Sequence, residues 1–339
     1  MAAKSGKTTI HDIARELGLN ASTVSRGLHD NPAVSAKTRA LIHETARRMN
    51  YRPNHMAAAL RRGRSNMLGV VVPAIDRFFF ASVIRGIEEE ADAAGFRVMV
   101  CQSFDSWERE RQMIDVLQQL RADAIMVSTA KDPNSDPNYY RQLIENGATL
   151  QFFDHLPSGL DAPAVVIDDF RGGYDATHHL IKSGRRRIAH LHGPLHVGIY
   201  EQRYKGFLAA MQEAGLEVPE GYLVQIQTHY DSGRPAFEQL WSLSERPDAI
   251  FSASDYGAIG CVKGAMANGI KIPEELAIVG FANEPFVEHL TPSLTSVDQQ
   301  TTRMGRTVAQ RTIAAVKGEP FAGDQKMVME PAVVVRESS

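Results

Sequence analysis

The segment Ala21-Ser22-Thr23-Val24-Ser25-Arg26 sets short polar side chains and one long cation within six residues. On a helix, such a tip suits contact with base edges. Short side chains let a backbone enter a major groove, and an arginine can pair bidentately with guanine. Arg26 is assigned the guanine, Ser22 a bond to either groove partner, and Ala21 apolar contact with a thymine methyl. Asn20, Thr23 and Ser25 are better placed for phosphates. A helix that only had to pack would not need so polar a start. Docking of the same bundle on another protein is the competing reading.

Charge points the same way. Residues 1–64 hold twelve Lys and Arg against four acids, a net +8, in a chain whose total is −3, so the remainder is −11. A basic head on an acidic body fits a polyanion at one end only. A solvated basic face without a partner would carry the same charge, so the pattern beneath it decides.

That pattern is a set of short helices. In residues 9–17, TIHDIAREL, the side chains of Ile10, Ile13, Ala14 and Leu17 fall at helical spacing, with Thr9 as N-cap and Gly18 as stop. Asn20 then caps a second helix, Ala21 to Leu28, with Val24 and Leu28 inward. Two short helices joined by Gly18-Leu19-Asn20 make a helix-turn-helix. Ser35 caps a third helix over 36–49, with Leu41, Ile42, Ala46 and Met49 inward and Tyr51 closing the core. After Pro53, the alanine-rich run His55 to Arg62 is helix-prone and Gly63 stops it. About nine residues is too short for a stable isolated helix, so this hinge is expected to fold only when held by DNA or a second copy. Leu60 there is an apolar side chain on a basic segment. It can wedge between base steps in a minor groove, or it can pack on the body as part of a plain linker.

The run from TIHDIARELGLNASTVSR through VSAKTR to NYRPN, in this order and spacing, resembles the DNA-binding head of the lactose/galactose repressor (LacI/GalR) family. The resemblance implies that Ala21, Ser22 and Arg26 read bases. It also implies that Leu60 is inserted together with its counterpart at an operator centre, that Arg61 is a neighbouring minor-groove residue, and that Asn54 of NYRPN joins the DNA-contacting set.

Beyond Asn66, strand-like and helix-like segments alternate. Strand candidates are 68–72, 97–101, 124–127, 150–153, 165–167, 188–191, 249–251 and 278–280, with helical patterns such as 80–94, 108–119, 172–182, 203–214 and 256–268 between them. Such alternation implies parallel sheets covered by helices. Eight or more strands suit two doubly wound subdomains, with a ligand at the strand C-termini between them. Stretches such as GRRRIAHLHGP, PDAIFSASDYGAIG and GIKIPEELAIVGF extend the resemblance to the family's periplasmic-binding-protein-like effector domain. The fold class is thus an all-α helix-turn-helix head plus an α/β body of two doubly wound parallel-sheet subdomains. The expected boundaries are 1–53 for the head, 54–65 for hinge and linker, and 66–339 for the effector-binding and dimerisation domain. Within the body, one subdomain covers about 66–157 plus 292–322 and the other about 163–286 plus 327–339, with crossings near 155–165, 284–292 and 322–328.

The resemblance also implies effector contacts: Phe79 and Phe80 at a helix start, Asp154 and Asp168 flanking a crossover, Arg203 as a clamp, and Phe251 and Asp255 at a strand end. The chemistry is sensible for a polar ligand, because acids accept from hydroxyls, arginine donates in a fixed fork and aromatics cover apolar faces. For each acid alone, a helix cap or a surface charge is the competing reading. One position departs from the family pattern: Ala282 stands where an acid is usual, and Asn283 is a candidate replacement. His190, His192 and His196 surround Gly193-Pro194 without a third metal ligand at suitable spacing, so no metal is expected, and His192 or His196 is expected to line the cleft.

No cofactor is expected, and no GxGxxG after a strand, P-loop, GxSxG elbow or HExxH supports an enzyme. No apolar run reaches transmembrane length, the N-terminal residues lack an apolar signal core, and Cys101 and Cys261 read as buried free thiols of a reducing cytoplasm. The sequence therefore describes a cytoplasmic regulator, expected to be a repressor. Its partners are a double-stranded operator with an inverted repeat, a small-molecule effector, sugar first, and a second copy paired through helix 80–94 and its neighbours. A sugar-binding transport protein and a sugar or nucleoside enzyme of the same fold class are the alternatives, and neither accounts for residues 9–63.

Overall fold

The computed structural model of the chain describes residues 8–51, 64–228, 230–319, 321 and 325–339. It divides into two compact units, Met1–Ser65 and Asn66–Ser339.

In the first unit, helix α1 (Ile10–Leu17) opens on a capping box. Asp12 N donates to Thr9 Oγ1 at 3.3 Å and Thr9 N to Asp12 Oδ2 at 2.9 Å, so two otherwise orphaned donors are satisfied reciprocally. Helices α2 (Ala21–Leu28) and α3 (Ala36–Arg48) follow. Ile13, Val24, Val34, Ile42 and Ala46 form the core, with Met49 and Tyr51 packed against it. Leu41, expected inward, is 48% exposed; the inward stripe of α3 runs through Ile42, Thr45 and Ala46, one residue step of about 100° away. Gly27 is buried under α3, and a Cβ there would strike Ile42 Cδ1. It is this glycine, rather than the half-buried Leu28, that sets the close approach of α2 to α3.

The second unit holds two six-stranded sheets. In chain order it runs β1 (Met67–Val72), α4 (Phe78–Ala93), β2 (Arg97–Gln102), α5 (Trp107–Gln119), β3 (Ala124–Val127), α6 (Pro137–Glu145), β4 (Leu150–Phe153), β5 (Ala164–Ile167) and α7 (Asp169–Lys182). Then come β6 (Ile188–His192), α8 (Gly198–Glu213), β7 (Leu223–Gln225), α9 (Gly233–Trp241), β8 (Ala249–Ser252), α10 (Asp255–Ala267) and β9 (Ala277–Ala282). The chain ends on β10 (Thr295–Asp298), α11 (Thr301–Val316), β11 (Lys326–Met329) and β12 (Ala332–Val334). The strand orders are β11-β5-β4-β3-β1-β2 and β12-β10-β9-β8-β6-β7. Every paired neighbour is parallel except β10 with β12. Strand β1, MLGVVV, reads as an unbroken apolar run because helices cover both faces of its sheet.

The crossings between sheets differ from those read in the sequence. Strand β5 still belongs to the first sheet, β10 to the second and β11 to the first, so the chain changes lobe at 168, at 299–300 and at 330–331. Each lobe therefore keeps a strand beyond the turn-like residues that had marked its edge. Cys101 and Cys261 are free, the first half-buried and the second fully buried.

Helix pairs in both lobes meet backbone to backbone, and in the second lobe Gly233 of α9 and Gly260 of α10 make one such contact. A Cβ on Gly86 of α4 would strike Thr302 O, and one on Gly305 of α11 would strike Val83 O. In the second lobe, a Cβ on Gly173 of α7 would strike Arg203 O, and one on Gly206 of α8 would strike Phe170 O.

Candidate functional site

Helix α2 turns Val24 and Gly27 inward and leaves Ser22 and Arg26 exposed, with Asn20 exposed just before it. Ala21, Thr23 and Ser25 are half-buried. Arg26 Nε donates to Ser22 O at 3.3 Å, which lays the side chain along the exposed flank. Asn20 sits at the N-cap position, but its side chain makes no capping bond. Of the residues expected to read bases, Ser22 and Arg26 thus share one outward face, whereas Ala21 packs against the head core. Asn54, Leu60 and Arg61 lie outside the described residues.

In the body, the strand C-termini of both lobes converge on an inner cavity of about 60 Å3, which shares Lys131, Asp154 and Ile199 with an outer one of about 810 Å3. Phe79 and Phe80, at the start of α4, wall the inner cavity as an edge-to-face pair with centroids 5.0 Å apart. Arg203 enters from α8, 5% exposed. Its Nε donates to Asp169 Oδ1 at 2.7 Å, Nη1 to Ala253 O at 2.9 Å and Nη2 to Gln299 Oε1 at 3.4 Å. Its guanidinium carbon lies 3.6 Å from the Phe281 ring centroid. The fork is thus held by the protein through three of its five N–H groups, the other two making no bond among the described residues.

Asp154 also lines both cavities, accepting from Ser128 Oγ at 3.1 Å. Asp168 lines only the outer cavity and caps α7, accepting from Arg171 N at 2.8 Å. His196 lines the outer cavity, whereas His192 is buried with Nδ1 2.8 Å from Gly193 O.

Three expected contacts fall elsewhere. Phe251 is fully buried under the second sheet, stacked on His190 at 4.7 Å, because alternation along β8 turns it to the covering helices. Asp255 is 1% exposed, and its carboxylate accepts from Ser296 Oγ at 2.6 Å and Glu284 N at 2.8 Å. It holds a turn rather than a ligand. Asn283 accepts from Arg336 Nη2 at 2.8 Å and is absent from the lining of either cavity.

The inner wall instead includes Arg77, Lys131, Tyr200, Thr228, Tyr256, Glu284 and Gln299, none of which was singled out in the sequence. Reading every residue just beyond a strand C-terminus would have flagged Lys131 and Glu284. Lys131 Nζ donates to Tyr200 OH at 3.1 Å, and Tyr200 OH lies 3.0 Å from Thr228 Oγ1. Burial opposes the Lys131 charge, but Tyr200, Asp154 and Asp105 outweigh it and hold the ammonium above its ordinary range. Aromatic walls with a few fixed donors and acceptors suit a small polar molecule with apolar faces.

Comparisons agree with this division. Residues 9–54 match the family described as bacterial regulatory proteins, lacI family, and residues 177–339 match the periplasmic binding protein-like domain. The chain is 33% identical over 335 residues to the HTH-type transcriptional regulator DegA of Bacillus subtilis, covering 98% of each. Among solved structures, it resembles a transcriptional regulator CelR–cellobiose complex at TM-score 0.73 and 27% identity, covering 98% of this chain and 100% of that one. It shares its fold with a lac repressor dimer bound to operator and the anti-inducer ONPF at TM-score 0.87 and 21% identity, covering 98% and 99%. Among the described residues, no helix is long and apolar enough to cross a membrane, and no group of metal-ligating side chains gathers.

Proposed function

The chain belongs to the lacI family of bacterial regulatory proteins, DNA-binding transcription regulators rather than enzymes, and on that premise we propose that it acts as an effector-controlled repressor. Two heads of a homodimer read the halves of an inverted repeat with Ser22 and Arg26 of α2, while Asn20, Thr23 and Ser25 meet phosphates. One head touches too few base pairs to select a site in a genome, and a two-fold pair matches a two-fold operator. The single observation that carries the reading is the orientation of α2, whose polar face is outward while Val24 and Gly27 fix it to the bundle.

The body senses a small molecule, a sugar or sugar derivative, in the cleft around Arg203. The bound cellobiose of the CelR relative supports that class. Residues 54–65 serve as the hinge and 66–339 as the effector and pairing domain. One cleft geometry holds two hinges close, with Leu60 and Arg61 of each in the minor groove, and the other separates them. The effector selects a state by its differential affinity, so operator and effector bias each other reciprocally. Acting on chromosomal DNA, the protein works in the cytoplasm.

The test is an anisotropy titration of the full chain on duplexes selected from a random library, with Arg26→Ala and Leu60→Ala beside it. Wild-type affinity and specificity in both variants would overturn the DNA-reading assignment.

A further inference from the structure

Strand β9 runs out at the inner cavity in an unusual backbone. Ala282 has φ 125 and Asn283 φ 53, the left-handed side of conformational space that side chains rarely adopt. Asp255 holds this turn, taking Glu284 N at 2.8 Å and Ser296 Oγ at 2.6 Å, and Ser296 Oγ in turn accepts from Asn283 N at 2.9 Å. The turn sends Asn283 away to Arg336 and Glu284 into the cavity wall.

Glu284 is 4% exposed, and its Oε2 is buried without a hydrogen-bond partner among the described residues. Buried polar atoms are nearly always satisfied, so such an oxygen calls for an explanation. The cavity it faces also carries Arg77, Lys131 and Arg203 against Asp154 and Glu284, with Asp169 already paired to Arg203. With Glu284 ionised, as in the occupied cleft, three cations meet three anions and leave no net charge for a charged ligand to neutralise. What the wall lacks is a donor at Glu284.

We propose that Glu284 is the specificity-determining acceptor of this cleft, receiving a hydroxyl from a neutral, polyhydroxylated effector. The proposal rests on the reading of the cleft as an effector site. Ligand-free, burial and the neighbouring Asp255 push the Glu284 carboxyl up to about 7, with Arg77 opposing them; the Tyr256 phenol also faces this wall. A hydroxyl donated to the carboxylate favours its ionised form. Binding therefore releases a proton near neutrality.

Two measurements on the full chain and Glu284→Gln test this. The first needs no ligand. The folded carboxyl titrates at about 7 against an ordinary 4.5, so the folded form holds the extra proton and stability falls as pH rises between those values. The melting temperature of Glu284→Gln should then gain on that of the wild type from pH 5 to pH 8. A gap that does not grow overturns the proposal. The second screens cellobiose, D-glucose, D-ribose and adenosine by thermal shift and titrates the strongest by calorimetry at pH 6 and pH 8. Wild-type affinity should rise about tenfold between them, with proton release, and Glu284→Gln should bind more weakly and without that rise. Equal binding by both proteins at both pH values overturns the proposal. Indifference of the wild type to all four compounds counts against the sugar reading instead, and the melts then decide the state of Glu284.

Discussion

The ammonium of Lys131 and the hydroxyl of Tyr200 are 3.1 Å apart, and the bond between them crosses the cleft. Lys131 follows β3 in the first lobe, and Tyr200 stands on α8 in the second. Tyr200 is drawn below the ordinary phenol range: burial pushes the other way, but Lys131 foremost, with Thr228 and Arg203, outweighs it. The pair is thus a charge-assisted latch between lobes. Tyr200→Phe keeps the ring and removes the bond, which should cost about 1.5 kcal/mol of closure, at the lower end for a charged partner because Lys131 is half-buried. The expected result is a larger radius of gyration in small-angle scattering than for the wild type. An unchanged radius would mean that the latch does not hold the lobes.

Arg26→Ala should weaken discrimination at one base pair by about 1–3 kcal/mol while leaving the fold intact, since Arg26 is exposed and its side-chain bond among the described residues is to its own helix. Anisotropy on matched and singly substituted duplexes reads this directly. Loss spread evenly over all sequences would make Arg26 a phosphate contact instead.

Gly27 makes a packing prediction. Gly27→Val drives a branched side chain into the fully buried Ile42, and overpacking of this kind costs about 1–3 kcal/mol. Thermal melts should show that loss, with operator affinity falling alongside it. Ile42→Ala in the same chain should recover part of it, because the two positions share one space. Purely additive losses would argue against the contact.

Glu110 sets a second pH dependence. It is fully buried on α5, accepts from Ala130 N at 2.5 Å and takes the hydroxyl of Tyr140. Burial pushes its carboxyl up to about 7, against the pull of Tyr140 and Ala130. The folded value exceeds the ordinary 4.5, so this group's contribution to stability is complete below about 4.5 and is lost as pH rises through 7. Glu110→Gln should flatten that part of a stability–pH curve. Glu110→Ala should cost about 1–3 kcal/mol for each donor left unpaired, and because Ala130 adjoins Lys131, it should disturb the latch as well. A curve unaltered by Glu110→Gln would show that this carboxyl stays ionised.

Much of this architecture is legible in the sequence, for reasons that differ by element. The head is written locally. Thr9 with Asp12, Gly18, Asn20 and Ser35 punctuate helices within a few residues of themselves. Strands such as β1 and β3 announce themselves because both faces are covered. Of the edge strands, β2 is legible, but β7 and β11 are not: β7 has three residues, and three of the four in β11, KMVM, are not buried. The crossings escape because sheet membership is decided by pairing, with β5 on β4 and β11 and with β10 on β9 and β12, and not by the turn-like residues nearby. In the cleft, Arg203 is found by its motif. Asp255 and Asn283 illustrate the limit, because whether a polar side chain faces a ligand or steadies a turn is decided by Ser296 and Arg336, distant in the chain. Glu284 is invisible until the backbone at Ala282 is known.

The glycine contacts between α4 and α11, and between α7 and α8, carry a mechanical consequence. With main chain against main chain there is nothing soft in either layer to absorb a load. Force applied by an occupant passes through each lobe undamped and is relieved at the three short spans around residues 168, 299–300 and 330–331. The stiffness of those few residues sets how far the jaws swing; Asp168 and Gln299 also line the cavities, so substitutions at 330–331 are the ones that retune the response without touching the cavity walls.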